Sequence, residues 1–256
     1  MIFSVWGFSK VGQLENIRNY WNLRAEGYSE SNMNELEDEN RIRWVNTIMR
    51  YAPEKERLKI LDIGCGPGFF SILMAQCGHD VTGVDYSDEM IAHAKENAEI
   101  MHQNIRFKRM DAQHLEFEDG TFDLVVTRNV TWVLEDPVQA YREMLRVLRH
   151  GGKIVNFDAN HYLDRFDKDF ADATVESRKA AEEYHREYIK GVDTNIIANI
   201  ALELPLSKEK RPEWDFATLA SLGAHKFDVE LYDHICVQKE SGIEFYAKSF
   251  VLSAQK

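Results

Sequence analysis

The stretch Leu61-Asp62-Ile63-Gly64-Cys65-Gly66-Pro67-Gly68-Phe69-Phe70 carries an apolar strand into three glycines spaced two apart and then into the start of a helix. Gly64, Gly66 and Gly68 permit a sharp turn with positive φ and leave bare peptide for a ligand to lie against. Their spacing discriminates between ligands. A dinucleotide fingerprint places its third glycine three positions after the second, and in this chain that position is Phe69. NAD and FAD therefore fit poorly.

Elements of an α/β unit follow in order. Ser71 to Cys77 reads as a helix that Gly78 closes in a left-handed C′ position, and Val81 to Val84 reads as a strand ending at Asp85-Tyr86. A carboxylate at the end of the second strand can accept both ribose hydroxyls. Ser87 is placed to cap a helix from Asp88 to about Ala98, with Met90 one turn in, where a thioether can cover a planar base. A third strand, Ile105 to Met110, ends at Asp111-Ala112, and a fourth, Phe122 to Val126, stops at Thr127-Arg128-Asn129. Asp136 and Pro137 have the chemistry of an N-cap and first helical position. Val138, Tyr141, Leu145 and Leu148 recur at helical spacing, and Gly151-Gly152 is expected to end that helix before a fifth strand, Lys153 to Phe157.

Taken in order, the acidic GxGxG run from Asp62 to Gly68, Asp85, Asp111-Ala112 and the end of the fourth strand resemble the motifs of the class I S-adenosylmethionine (SAM) dependent methyltransferases. The resemblance spans roughly Lys59 to Asp158. It implies a Rossmann-like α/β fold, a seven-stranded mostly parallel sheet with an antiparallel last strand. It also implies SAM as cofactor, S-adenosylhomocysteine as product, and an activity of the EC 2.1.1 class. The cofactor-binding residues implied are Asp62, Gly64, Cys65, Gly66, Gly68, Asp85 on the ribose, Tyr86, Met90, Asp111 on the adenine amino group, the Ala112 backbone and Asn129. Tyr20 to Tyr28 is similar to the N-terminal helix of small-molecule methyltransferases, which brings Tyr28 to the methionine end. Read without the family, Cys65 fills a small site in the glycine loop and Asp111 is a turn residue.

Composition narrows the partners. The chain has 256 residues, 44% of them hydrophobic, enough for one α/β domain with a large insertion. Its formal charge of −12 disfavours RNA and DNA, whose binding draws on lysine and arginine at phosphates. The basic runs Arg142 to Arg149 and Lys208 to Arg211 read as a solvated helix face and a loop. Cys65, Cys77 and Cys236 lack metal-ligand spacing and suit reduced thiols. Met1 to Phe8 is apolar but lacks the basic flank and length of a signal peptide, and no run approaches the ~20 apolar residues of a membrane span. A cytoplasmic location is expected.

Four regions emerge: an N-terminal helical cover (1–58), the SAM-binding core (59–158), a helical cap inserted after strand five (159–211), and the last helix and strands of the core (212–256). The cap, with a helix expected over Asp172 to Ile189, leaves the sheet at the edge where such folds bind ligands, so it is placed as a lid. Candidate acceptor-binding residues are Tyr20, Trp132, Tyr162, Tyr184 and Tyr188. His161 is the candidate general base, because its unperturbed pKa lies near neutrality. Asn129-Val130-Thr131-Trp132 lacks the paired prolines of methyltransferases that act on bases. Asp158 and Asn160 lack the adjacent Asp-Asn of the catechol-type metal site, so no metal is expected. A small-molecule acceptor is the leading reading. A tRNA or protein methyltransferase and a non-catalytic SAM-binding module stand behind it, and an NAD-dependent oxidoreductase is third. Oligomeric state is not legible.

Overall fold

β1 (Lys59–Ile63) sends Leu61 and Ile63 to one face of a sheet and Ile60 with Asp62 to the other, and both faces are buried. Strands covered on both sides read as near-continuous apolar runs, and β4 (Phe122–Arg128) repeats the pattern. The remaining strands are β2 (Asp80–Asp85), β3 (Arg106–Arg109), β5 (Leu148–Ala159), β6 (His225–Lys239) and β7 (Gly242–Gln255). Their spatial order is β3-β2-β1-β4-β5-β7-β6. β1 to β5 pair in parallel, and β7 is antiparallel to both of its neighbours. The last strand in sequence thus wedges between β5 and β6. Strand order reverses between β1 and β4, which opens a crevice at their carboxyl ends. The computed structural model describes residues 12–239 and 242–256, and the apolar start at Met1 to Phe8 lies outside the described residues.

Helices cover both faces. α2 (Arg41–Tyr51), α3 (Phe69–Gln76) and α4 (Asp88–Ile100) pack Ile48, Ile72, Leu73 and Ala94 on one side, while α5 (Pro137–Val147) and α8 (Glu213–Ser221) pack Tyr141, Met144 and Leu219 on the other. The expected caps form: Ser87 Oγ accepts the Met90 N–H at 3.1 Å, and Asp136 Oδ1 accepts that of Gln139 at 2.9 Å. The expected end of α5 does not. The helix stops at Val147, Leu148 already pairs with Phe122, and Gly151-Gly152 lies inside β5 where the ladder with β4 shifts register. A Cβ on Gly152 would stand 3.0 Å from the carbonyls of Arg149 and Asp123, so this glycine accommodates a strand irregularity.

α1 (Gln13–Glu37) has little apolar face of its own and is held by partners along its length. Arg18 pairs with Asp88 at 2.8 Å, Asn22 accepts the Ser87 hydroxyl at 2.6 Å, and Ser29 meets Asn97 at 3.0 Å, so the helix lies along α4. Farther on, Glu35 takes the Arg128 guanidinium at 2.9 and 3.1 Å and the Trp44 indole N–H at 2.8 Å. α6 (Lys168–His185), a 3-10 turn over Arg186–Ile189 and α7 (Asn195–Ala201) form the segment after β5. This helix begins and ends earlier than the sequence reading placed it. The segment meets α1 at Gly27, where any Cβ would collide with the Tyr188 carbonyl, and Lys190 pairs there with Glu30.

One residue contradicts its sequence reading outright. Arg211, placed in a solvated basic loop, is 1% exposed. Its guanidinium meets Asp158 at 2.9 Å, Asp215 at 2.6 and 2.8 Å and the Thr131 hydroxyl at 2.5 Å. Asp215 also accepts the Tyr141 hydroxyl. Burial alone would lower the Arg211 pKa, but the two carboxylates hold it well above the ordinary value. Removing one member of a buried ion group leaves the others uncompensated and costs about 3–5 kcal/mol. Arg211→Met is therefore expected to lower unfolding free energy by that amount in urea titrations, and a loss below about 1 kcal/mol would contradict this account.

Candidate functional site

A cavity of about 1470 Å³ lies above the carboxyl ends of β1, β2, β4 and β5, walled by α1 and by the segment after β5. Every candidate cofactor-binding, acceptor-binding and base residue read from the sequence lines it except Gly68. At Gly64 (φ +62°) a Cβ would run into Val130 of the loop after β4, so the close approach of two loops requires glycine there. Gly66 (φ +52°) is different. A Cβ there would meet nothing nearer than Met90 Sδ at 3.9 Å, which leaves bare peptide facing open space. Gly68 (φ +94°) precedes α3, and its Cβ position is 3.3 Å from Phe107 and 3.4 Å from Ala94. Its expected place on the cofactor surface is corrected: it lets α3 pack on α4 and β3, the role a dinucleotide fold gives its third glycine.

The acids around this loop are held in place. Asp85 Oδ2 accepts the Gly66 N–H at 2.9 Å and Oδ1 accepts that of Ser87 at 2.8 Å. Burial pushes its pKa up, and these backbone bonds pull it back. Asp62 accepts the Ser71 hydroxyl at 2.6 Å, and burial pushes its pKa to about 7, with Ser71 and the Arg128 charge opposing and Asp85 adding. Asp111 Oδ1 accepts the Gln113 backbone and side-chain N–H groups at 2.9 and 3.0 Å, so it is a turn residue and a cavity residue at once. The Tyr86 hydroxyl donates to Glu15 of α1 at 2.9 Å. Ala112 and Met90 are buried, and burial pushes the Cys65 thiol up.

Beyond the glycine loop the wall is aromatic. Trp132 donates its indole N–H to the Asn129 carbonyl at 3.0 Å, and its ring lies 4.9 Å from His161 and 5.5 Å from Tyr162. Tyr20 packs with Trp132, Ile197 and Ile200. The Trp21 ring is 5.2 Å from Tyr20 and 5.3 Å from Tyr28. Burial raises the Tyr28 pKa and takes that of Tyr162 to about 12, so both stay protonated. His161 Nε2 is 3.3 Å from Asn129 Oδ1 and 3.6 Å from Asp158 Oδ1. Two oxygens facing Nε2 assign the proton to that nitrogen and leave the lone pair on Nδ1. Desolvation lowers the His161 pKa, with Asp158 opposing. Asp158 and Asn160 are engaged by protein partners, Asp158 by Thr131 and Arg211, and Asn160 by the Arg211 backbone and the Ala247 carbonyl.

Two lid tyrosines depart from expectation. Tyr184 is 70% exposed and reaches only the rim, and the Tyr188 hydroxyl is taken by Asn34 of α1 at 3.2 Å, which makes it a tie between the walls. The sequence reading missed Arg24, Arg128 and Glu35, all of which line the cavity. Trp44, Phe69 and Phe70 lie around the Arg128 guanidinium at 4.5, 4.8 and 5.7 Å. Arg128 is adjacent to Asn129 in a strand-end run already noticed; nothing local signalled Arg24.

A parallel sheet with a glycine loop after its first strand, an acid closing its second and a strand-order reversal between them defines a Rossmann-like nucleoside-binding protein. Residues 61–156 match the family described as "Methyltransferase domain". The chain is 38% identical over 106 residues to a phosphatidylethanolamine N-methyltransferase of Cereibacter sphaeroides, covering 41% of this chain and 51% of that protein. It is 33% identical over 115 residues to a demethylmenaquinone methyltransferase of Staphylococcus aureus, covering 44% and 47%. The chain thus spans about half the length of these relatives. The structure of a phosphoethanolamine N-methyltransferase of Haemonchus contortus, in complex with SAM, superposes with a TM-score of 0.55 at 19% identity over 84% of this chain and 52% of that one. Over residues 61–156 the chain is similar in sequence to methyltransferase domains, its fold is that of SAM-dependent methyltransferases, and SAM is the cofactor this likeness supports. The open peptide face at Gly66 and the fixed carboxylate of Asp85 fit an adenosine, and the buried carboxyl of Asp62 fits a neighbouring ammonium group.

The state of Asp62 has a consequence for stability. Its folded pKa lies above the ordinary 3.8, so proton binding favours the folded chain. That contribution is complete below about pH 4 and is lost as pH rises through about 7. Asp62→Asn is expected to remove on the order of 2 kcal/mol of the stability difference between pH 5 and pH 7.5, read from urea unfolding without ligand. An unaltered pH profile in that variant would place the Asp62 pKa in the ordinary range.

Proposed function

We propose that this chain transfers the methyl group of SAM to a small-molecule acceptor held beneath the segment 159–211. The observation that carries the reading is the cavity itself, which runs from the glycine loop to the aromatic wall of Tyr20, Trp132 and Tyr162 and is covered by α1 and by that segment. A blocked acceptor space would favour a binding module without turnover, and this space is open to the ends of β4 and β5. The formal charge of −12 weighs against a polynucleotide acceptor. Two of the relatives, a lipid and a quinone methyltransferase, lend support to a small organic acceptor.

SAM, when bound, supplies an activated methyl group on a sulfonium. The protein has three tasks: to bring the acceptor in line at near-attack distance, to exclude water, and to take a proton where the acceptor carries one. Asp85 with the Gly66 backbone anchors the nucleoside, and Asp62 receives the amino acid end. Trp132, Tyr162 and Tyr20 shape an apolar slot for the acceptor. His161, neutral because burial lowers its pKa, presents an unprotonated nitrogen at neutral pH and is the base in this reading. Asp158, fixed by Arg211 and Thr131, orients it.

Incubation with labelled SAM and separate small-molecule, tRNA and protein fractions is expected to place label in the small molecules, and label in either polymer fraction alone would overturn the reading. Asp85→Ala is expected to weaken SAM by about 2–3 kcal/mol in calorimetry, since charge-assisted bonds to the ribose are lost; an unchanged dissociation constant would remove Asp85 from the ribose site. His161→Ala is expected to cut kcat about 10²-fold with SAM affinity retained, and full turnover would leave the histidine a packing role only.

A further inference from the structure

Arg24 is a buried cation that the described residues leave without an ion-pair partner. It is 8% exposed, lines the cavity, and makes one hydrogen bond, from Nη1 to the Tyr20 hydroxyl at 3.1 Å. Its Nε is buried without a partner, and no carboxylate among the described residues lies within ion-pair distance of it. The Tyr28 ring, 5.1 Å from the guanidinium carbon, provides a π face and no countercharge. Buried charges are paired or bind ligands, because an isolated one carries a large desolvation penalty. Other buried or half-buried arginines obey this rule, Arg18 through Glu15 and Asp88, Arg128 through Glu35, Arg178 through Asp164 and, beneath the cavity, Arg211 through Asp158 and Asp215.

The surroundings of Arg24 supply no countercharge. His185, in the segment that covers the cavity, has its pKa lowered by desolvation and then by the nearby charges of Arg24 and Arg128. Glu35 neutralises Arg128, and no acid among the described residues does the same for Arg24. Arg128 is the guanidinium whose charge bears on Asp62 at the amino acid end of the cofactor. Arg24 instead shares its helix face with Tyr20, whose ring packs against Trp132 of the aromatic slot. The donors left over are the free N–H groups of a planar fork, suited to two oxygens of a carboxylate or phosphate.

We propose that the methyl acceptor is an anion, and that Arg24, with the Tyr20 hydroxyl beside it, binds its carboxylate or phosphate group. The assignment rests on the small-molecule reading above and names the charge of that molecule. It makes Arg24 a specificity-determining residue: the guanidinium selects the acid member of an acid and amide pair and holds its apolar body toward Trp132 and Tyr162.

The full chain, saturated with S-adenosylhomocysteine, is to be titrated with two probe pairs, 4-hydroxybenzoate against 4-hydroxybenzamide and phenyl phosphate against phenol. Wild type, Arg24→Met and Arg24→Lys are compared, with thermal melts to establish folding. The expected result is at least a tenfold preference for the anion in one pair, lost in Arg24→Met and partly kept in Arg24→Lys, while S-adenosylhomocysteine affinity stays within about twofold throughout. If Arg24→Met weakens S-adenosylhomocysteine tenfold or more and leaves probe preference intact, the guanidinium serves the cofactor's own carboxylate and the proposal is wrong. Equal binding, or no binding, of both members of both pairs to wild type also overturns it. Wild type that fails to bind S-adenosylhomocysteine at all refutes the methyltransferase reading instead, and anion preference measured without it still decides the role of Arg24.

Discussion

Arg211 closes the loop on which the acceptor side of the cavity depends. The covering segment leaves the sheet at the end of β5 and returns ahead of α8, and its two ends are joined to each other before either reaches solvent. Asn160 at its start donates to the Arg211 carbonyl and accepts the Arg211 N–H, at 2.7 and 3.0 Å. The Arg211 guanidinium then joins Asp158 of β5, Thr131 of the loop after β4 and Asp215 of α8. About fifty residues are thus closed by one buried node, and the entropic cost of such closure grows only slowly with length. The same node fixes Asp158, which faces His161. A stability element and the candidate base share one carboxylate.

The opposite wall is attached by a different device. α1 buries only a few apolar residues, Ile17, Tyr20, Ala25 and Leu36 among them, and is fastened besides by polar pairs to α4 and by the Arg128 and Glu35 pair to β4. Aromatic rings of Trp44, Phe69 and Phe70 sit around that guanidinium, which excludes water and strengthens the pair. α1 and the covering segment meet where Gly27 has no side chain. The contact is backbone against backbone, so small displacements of either wall change the cavity directly.

Legibility in the sequence followed the range of the interactions. The glycine loop, the acids closing β2 and β3, and the caps at Ser87 and Asp136 are local: each is specified within a few residues, and each formed where its chemistry required. The alternation of buried faces in β1 and β4 was equally readable, because a doubly covered strand has nowhere to place polar residues. Arg211 was misread because its partners stand 80, 53 and 4 positions away (211−131, 211−158, 215−211), and a run of Lys and Arg looks the same whether one member turns inward or none does. Gly68 was misplaced by the same logic: a third glycine in a motif was read for its ligand, when its neighbours are Ala94 and Phe107 of elements downstream. Gly27 gave no signal, since a glycine within a helix shows its reason only when something approaches it.

Charge at the two scales points in different directions, and the difference shapes what the cavity can hold. The chain as a whole carries −12, a field that repels polyanions at long range and is screened within about 8 Å at physiological ionic strength. Inside the cavity that field is replaced by the few groups that line it, where low dielectric makes each one count for more. Asp62 and Asp85 at the glycine loop lie close enough for one to raise the pKa of the other, while Glu35, Asp164 and Glu182 line the walls beyond it. The guanidiniums of Arg24 and Arg128 and the imidazole of His185 lie together near the covering segment. Both signs line the one enclosed space, and most of its cations are paired there, Arg18 with Glu15, Arg128 with Glu35 and Arg178 with Asp164, so a bound molecule meets the groups left over whatever the net charge of the protein outside.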